Sequence, residues 1–423
     1  MLRIITLLSF FIFSVPPFMQ ISDADIIVIK AEGVVNPVMA EYILKNIHDA
    51  EKQKAEALVI ELDTPGGLDT SMRSIVKGIT ASEVPVIVYV SPSGARAASA
   101  GVFITMSANI AAMAPGTNMG AAHPVGVGDK MDKTMSEKAT NDAAAYIRSI
   151  AKKRGRNPDW AEKAVRKSVS ITETEALKLK VIDLVSPNLK TLLESVNNRV
   201  VETSSGKHIL KTKDVKVVYR EMGFRHKILD FISDPNVSYL LMLLGFYGIF
   251  FEMTNPGAIF PGVFGAIALV LAFYSFQTLP VNYAGLLLII LAIIMFILEI
   301  KITSYGVLSI GGIIAMLIGS LMLFDSPLPF FKLSLKVMLP GVILTALFFF
   351  VTIRLAVKAY RRKPSTGVEG LVGLEGKAKT DIHKEGTVFV HGELWKAWSD
   401  EPIKSGENII VEKVDHLRLK VRR

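Results

Sequence analysis

The sequence predicts three units in series: an α/β domain built on a mostly parallel sheet, an α-helical transmembrane bundle, and a small all-β barrel of the OB-like kind. Three observations predict it. Apolar β-rich runs alternate with helical stretches over residues 23–230, nearly uncharged apolar runs fill most of 231–363, and short β-prone runs broken by glycine occupy 364–423. The chain has 423 residues, 50% of them hydrophobic, with a mean hydropathy of +0.40. That is more apolar than a chain wholly in water carries, and the excess sits in the middle unit.

Residues 1–22 open with Arg3, run through Ile4 to Val15 and reach small and polar residues at Ser22 to Ala24. This is the layout of a secretory signal peptide, with an uncleaved anchor the alternative since no clean small-x-small site precedes Asp23, and it predicts that the domain after it lies outside the cytoplasm. The chain contains no cysteine, so disulfides, thiolate metal sites and a cysteine nucleophile are excluded. The formal charge of +9 is scattered except for Lys358, Arg361, Arg362 and Lys363, which follow an apolar span directly. A cluster so placed reads as the cytoplasmic flank of a membrane helix and not as a nucleic-acid surface.

In the first domain, Ile26 to Ile29, Ala57 to Leu62 and Val84 to Val90 read as strands, with helices between them at Pro37 to Lys54 and Asp69 to Thr80. Such β-α-β units make a parallel sheet, and reactive groups then collect beyond the carboxyl ends of the strands. After the second strand comes Asp63-Thr64-Pro65-Gly66-Gly67-Leu68. The pair Gly66-Gly67 permits backbone conformations closed to other residues and bares amide N–H groups to a developing oxyanion; equally, Pro-Gly-Gly serves as a simple turn. After the third strand comes Ser91-Pro92-Ser93-Gly94-Ala95-Arg96-Ala97-Ala98-Ser99-Ala100-Gly101, leading into a run of small and apolar residues that reads as a helix. Ser99 at such a helix start can be reached by a substrate backbone, and the N–H of Ala100 can share an oxyanion with that of Gly67. Small residues there also serve close packing. Further on, Thr172 and Glu175 form a capping box ahead of a strand at Val181 to Val185, where Asp183 reads as structural.

Phe224 to Ile232 is amphipathic and reads as a surface-lying entry to the membrane. Five apolar segments follow that are predicted to cross: Val237 to Phe251, Ile259 to Phe276, Tyr283 to Ile300, Gly306 to Phe324 and Val337 to Val357. Starting outside and crossing five times puts the basic cluster and the last domain in the cytoplasm, in agreement with the positive-inside rule. From Val368 onward, runs at Val372 to Ala378, Gly386 to Val390, Glu393 to Ala397, Asn408 to Val411 and Leu417 to Val421 supply the five strands of the barrel. Trp395 and Trp398 are candidate stacking residues, and Trp395 fits a core position equally well.

The motifs in combination carry a resemblance. Asp63 to Leu68, Ala97 to Gly101, and Met113-Ala114-Pro115-Gly116-Thr117-Asn118-Met119-Gly120-Ala121-Ala122-His123-Pro124 resemble the long form of the NfeD family of membrane-bound serine proteases. That family is related to ClpP and to signal-peptide peptidase A. The likeness continues through Lys138 to Asp142, Ala145 to Ser149, Arg154 to Asn157 and Glu175 to Leu177, and covers the membrane and C-terminal units.

The resemblance implies a ClpP/crotonase-like first domain with Ser99 as nucleophile and Lys138 as its base. It also implies hydrophobic-segment substrates, stomatin-like (SPFH) partners, homo-oligomers, and neither metal nor cofactor. An amine with a pKa of about 10.4 in water serves as a base only where burial or a positive neighbour lowers that value. His123 is the alternative base, lying where ClpP carries its triad histidine and needing no large shift. Two further classes compete: a non-catalytic membrane scaffold that recruits stomatin-like partners, and a crotonase-type acyl-CoA enzyme sharing the glycine-pair oxyanion site. The second fits an exported domain poorly, because CoA is scarce there.

Overall fold

The computed structural model describes residues 25–126, 132–255, 257–302, 304, 306–326, 328–360 and 368–423. The predicted signal segment and the basic residues Arg361 to Lys363 lie outside them. The first domain begins with β1 (Ile26–Glu32), α1 (Pro37–Lys52), β2 (Ala57–Asp63), α2 (Asp69–Ala81) and β3 (Val86–Val90). It continues with β4 (Arg96–Ala98), α3 (Ala100–Ser107), β5 (Ile110–Met113), β6 (Asn118–Gly120), α4 (Lys133–Lys153), α5 (Pro158–Arg166) and β7 (Ser170–Thr172). Then come α6 (Glu173–Lys178), β8 (Leu184–Val185), α7 (Leu189–Val196), β9 (Val200–Thr203), β10 (Gly206–Ile209), β11 (Val217–Arg220) and α8 (Phe224–Ile232).

Six strands form one parallel sheet in the order β11-β1-β2-β3-β5-β8. Its strands are apolar on both faces because each face is covered. Ile27, Ile29, Leu58, Ile60, Leu62, Val86 and Val88 point to a core shared with α1, α2 and α3. Ile26, Val28, Ala57, Val59, Ile87 and Tyr89 point the other way, to Leu192, Leu193, Val196 and Leu210. Burying each such Val, Ile or Leu side chain contributes about 1.5–3 kcal/mol. Helix starts follow local chemistry. Asn36 caps α1 by accepting the Met39 N–H at 2.8 Å, with Pro37 behind it. Both halves of the predicted Thr172–Glu175 capping box are present at α6. Asp183 is structural: it accepts the Ala111 N–H at 2.7 Å and the buried Arg156 guanidinium at 2.6 Å.

Two features differ from expectation. Residues 96–98 form a strand, pairing with β6 in a second small sheet ordered β4-β6-β7. The edge of the main sheet is β11, which hydrogen bonds to β1 from far along the chain.

Helices α9 (Pro235–Thr254), α10 (Ile259–Phe276), α11 (Tyr283–Lys301), α12 (Val307–Leu323) and α13 (Leu335–Tyr360) follow. Three stretches, Pro235–Thr254, Ile259–Phe276 and Pro329–Thr352, are long and apolar enough to cross a membrane. The other two predicted crossings are shorter apolar stretches, Tyr283–Glu299 and Val307–Leu323. At 1.5 Å per residue the 17-residue α12 spans about 26 Å and the 18-residue α10 about 27 Å, both close to the thickness of a hydrocarbon core of about 30 Å. Helices α9 and α10 meet at glycine: a Cβ on Gly248 would lie 2.6 Å from the Gly265 Cα, so only glycine allows this approach.

The last domain is a closed barrel of β12 (Glu375–Ala378), β13 (Gly386–Val390), β14 (Glu393–Trp398), β15 (Asn408–Asp415) and β16 (Arg418–Arg422), ordered β12-β13-β14-β16-β15. Val388, Val390, Ala397, Ile409, Val411, Leu419 and Val421 fill its core, and Trp395 packs against them.

Candidate active site

The carboxyl ends of β1 and β2 are stitched to the loop after β3 by main-chain bonds. Val35, just past β1, donates its N–H to the Gly66 carbonyl at 2.8 Å and accepts the Leu68 N–H at 2.9 Å. Thr64, just past β2, donates its N–H to the Arg96 carbonyl at 2.7 Å and accepts the Ala98 N–H at 3.0 Å. Strand β4 is therefore gripped on one side by Thr64 and on the other by β6.

Ser99 ends that strand and starts α3. Its backbone has φ 53° and ψ −111°, a region closed to most side chains and costing about 1–3 kcal/mol. Its N–H donates to the Gly120 carbonyl at 2.9 Å, and its carbonyl accepts from Val102 at 3.1 Å. These bonds hold the strained turn, and the Ser99 side chain packs over Gly66. A Cβ on Gly66 would lie 2.6 Å from the Ser99 Cβ and 3.1 Å from its Oγ, and Gly66 has φ +118°, so glycine is required twice over. At Gly67 a Cβ would come within 2.2 Å of the Val35 carbonyl oxygen.

The expectation that Gly66 supplies an oxyanion donor does not hold in this geometry. Its N–H already donates to Thr64 Oγ1 at 3.0 Å. The Gly67 N–H, by contrast, has no acceptor among the described residues. The Ala100 N–H is the first of α3 and lacks an intrahelical acceptor by position. Two bare donors thus flank a half-buried serine.

Helix α4 packs along α3 in the same direction. Phe103 stacks on Tyr146 with ring centroids 6.0 Å apart, and Arg154 Nε, further along α4, donates to the Ser107 carbonyl at 2.7 Å, further along α3. Arg73 bonds to Asp142 and lies 4.6 Å over the Tyr146 ring. Burial pushes the Tyr146 hydroxyl above its usual range, with the Arg73 charge pulling the other way. Ser99 stands one turn before Phe103, and Lys138 two turns before Tyr146, so both occupy the same end of the helix pair. Lys138 is exposed and makes no ion pair among the described residues. His123 is half-buried, and its Nδ1–H donates to the Val165 carbonyl at 2.9 Å, leaving Nε2 without a hydrogen-bond partner among the described residues. Among the described residues no carboxylate holds that ring; Asp183 is committed to Arg156 and Ala111.

Sequence reasoning missed Thr64, Val35 and Gly120 as the partners that build the turn. Thr64 and Gly120 lie inside the quoted motifs; Val35 acts only through its main chain, which leaves no sequence signal.

Family models match along the chain in order: the NfeD1b N-terminal domain at residues 25–214, the NfeD integral membrane domain at 236–354, and the NfeD-like C-terminal, partner-binding domain at 368–423. A membrane-bound protease of Pyrococcus horikoshii is 37% identical over 410 residues, 94% of this chain and 92% of that protein. The membrane protein NfeD1b of Bacillus subtilis is 27% identical over 416 residues, 93% of this chain and 92% of that protein. Among solved structures, a membrane protease specific for a stomatin homologue from Pyrococcus horikoshii is 36% identical, covering 50% of this chain and 100% of that one, with a TM-score of 0.45. With three family domains in sequence and a relative at this identity along nearly its whole length, the chain belongs to the long form of the NfeD family of membrane-bound serine proteases.

Proposed function

We propose that the protein cleaves hydrophobic segments of membrane-associated proteins by acyl transfer to Ser99, with Lys138 as base. The observation that carries this reading is the Ser99 turn: a strained serine over Gly66, flanked by the bare N–H groups of Gly67 and Ala100. A base takes the Ser99 proton as its oxygen attacks the scissile carbonyl, and the two N–H groups receive the resulting oxyanion. The protonated base then gives that proton to the leaving amine, and water repeats the sequence to release the acyl group.

Lys138 is favoured over His123 because it stands at the same end of the α3–α4 pair as Ser99, whereas the His123 ring is tied to the Val165 carbonyl and meets no carboxylate among the described residues. An exposed amine needs desolvation to work as a base, which a bound apolar substrate or a neighbouring subunit supplies. Stomatin-like proteins are the proposed substrates and partners, since one solved relative is named for that specificity. The protease domain is assigned to the outside and the barrel to the cytoplasm. Three crossings or five give the same sides, because both counts are odd.

The test is digestion of a purified stomatin-like protein by the full chain in detergent, with products mapped by mass spectrometry. Cleavage within an apolar segment, lost in Ser99→Ala, is expected. Unchanged cleavage by Ser99→Ala, or none by the wild type, supports the scaffold reading instead.

A further inference from the structure

We propose that Thr64 is a positioning residue for this reaction, aiming the Gly67 N–H at the oxyanion through its side-chain hydroxyl; the inference rests on the Ser99 reading above. Thr64 is fully buried. Its Oγ1 accepts the Gly66 N–H at 3.0 Å and donates to the Gly66 carbonyl at 3.2 Å. That same carbonyl accepts the Val35 N–H at 2.8 Å.

The Gly66 carbonyl and the Gly67 N–H belong to one planar trans peptide and point in opposite directions. Two donors on the carbonyl therefore set the direction of the N–H. A Gly-Gly linkage has the least intrinsic stiffness of any pair, so this peptide is held by its bonds and not by side-chain sterics. Removing the hydroxyl takes away one of the two donors and leaves the Gly66 N–H buried without its acceptor.

The main chain of Thr64 meanwhile grips Arg96 and Ala98, and its Cγ2 fills the space where Gly101 has no side chain, 2.7 Å from the position of a Cβ there. One buried residue thus ties the proposed oxyanion donor to the strand that carries the nucleophile.

Two near-isosteric variants separate the hydroxyl from the packing. Thr64→Val keeps both branches of the side chain and removes the hydroxyl; Thr64→Ser keeps the hydroxyl and removes the methyl. With the full chain in detergent and a quenched fluorogenic peptide carrying an apolar segment, kcat in Thr64→Val is expected to fall about 10- to 100-fold with KM within about twofold, somewhat less than the loss of a whole oxyanion donor. Thr64→Ser is expected to recover most of the rate.

A peptide aldehyde, which forms a tetrahedral adduct, should lose affinity in Thr64→Val by the factor lost in kcat/KM, while the cleaved product peptide binds unchanged. Equal losses in the valine and serine variants, or a loss carried by KM alone, would overturn the proposal and leave Thr64 a packing residue. Should the valine prevent folding, Thr64→Ala against Thr64→Ser carries the same comparison. Ser99→Ala is run beside them. If it keeps the wild-type rate, the reading of Ser99 itself fails; if it is dead while Thr64→Val is normal, only the role of Thr64 does.

Discussion

The turn that carries Ser99 and the helix that carries Lys138 are built in opposite ways. Around Ser99 nearly every polar main-chain group has a partner, the strain at φ 53° is held by named bonds, and glycines at 66 and 67 allow backbone to touch backbone. Lys138 stands exposed on the first turns of α4, with no ion pair among the described residues. On the proposed roles, the nucleophile half is organised by the single chain and the base half depends on what covers it.

Substitutions at the two halves should therefore differ in kind. Ser99→Ala is expected to abolish turnover, leaving at most the residual acceleration of the bare oxyanion donors, a loss of about 10⁵-fold or more in kcat on the same fluorogenic peptide. Lys138→Ala should cost about 10²- to 10⁴-fold in kcat, the range of general-base catalysis, with a nearly unaltered melting temperature because the side chain is exposed. An equal loss in His123→Ala, with Lys138→Ala near normal, would transfer the base to the imidazole.

Gly66→Ala should both disable the site and destabilise the domain by about 1–3 kcal/mol, through its positive φ and the clash with Ser99; a melting curve beside the rate measures both. Away from the site, Asp183→Ala leaves the Arg156 guanidinium, only 2% exposed, without its carboxylate. It should cost about 3 kcal/mol in stability while kcat of the folded fraction holds. The least effect is expected from Lys133→Ala, on the same helix as Lys138, which should change neither activity nor stability by more than about 0.5 kcal/mol.

How far the sequence revealed this arrangement depended on the range of the signal. The long strands β1 to β3 and the apolar helices carry their periodicity locally, and the glycine pair and Ser99 sit in contiguous motifs, so these were legible. Strands β4, β6 and β7 have three residues each, too few for any alternation to show, and residues 96–98 read as loop although they form the strand that leads into Ser99. Strand β11 is chosen by pairing with β1 across most of the domain, a contact no local pattern announces.

Gly66 was legible as special but for a different reason: its value lies in the space over which Ser99 packs, and its N–H serves Thr64. The crossings at Tyr283–Glu299 and Val307–Leu323 are apolar enough to suggest full spans, and α12 with 17 residues differs from α10 with 18 by a single residue.

Activation of one hydroxyl by one amine is tested most directly by labelling kinetics. The full chain is treated with a fluorophosphonate, and the site and rate of modification are read by mass spectrometry in the wild type, Lys138→Ala and His123→Ala. Modification confined to Ser99, slowed at least about tenfold by Lys138→Ala and untouched by His123→Ala, is the predicted result. Modification of another serine, or a Ser99 rate that ignores position 138, would contradict it.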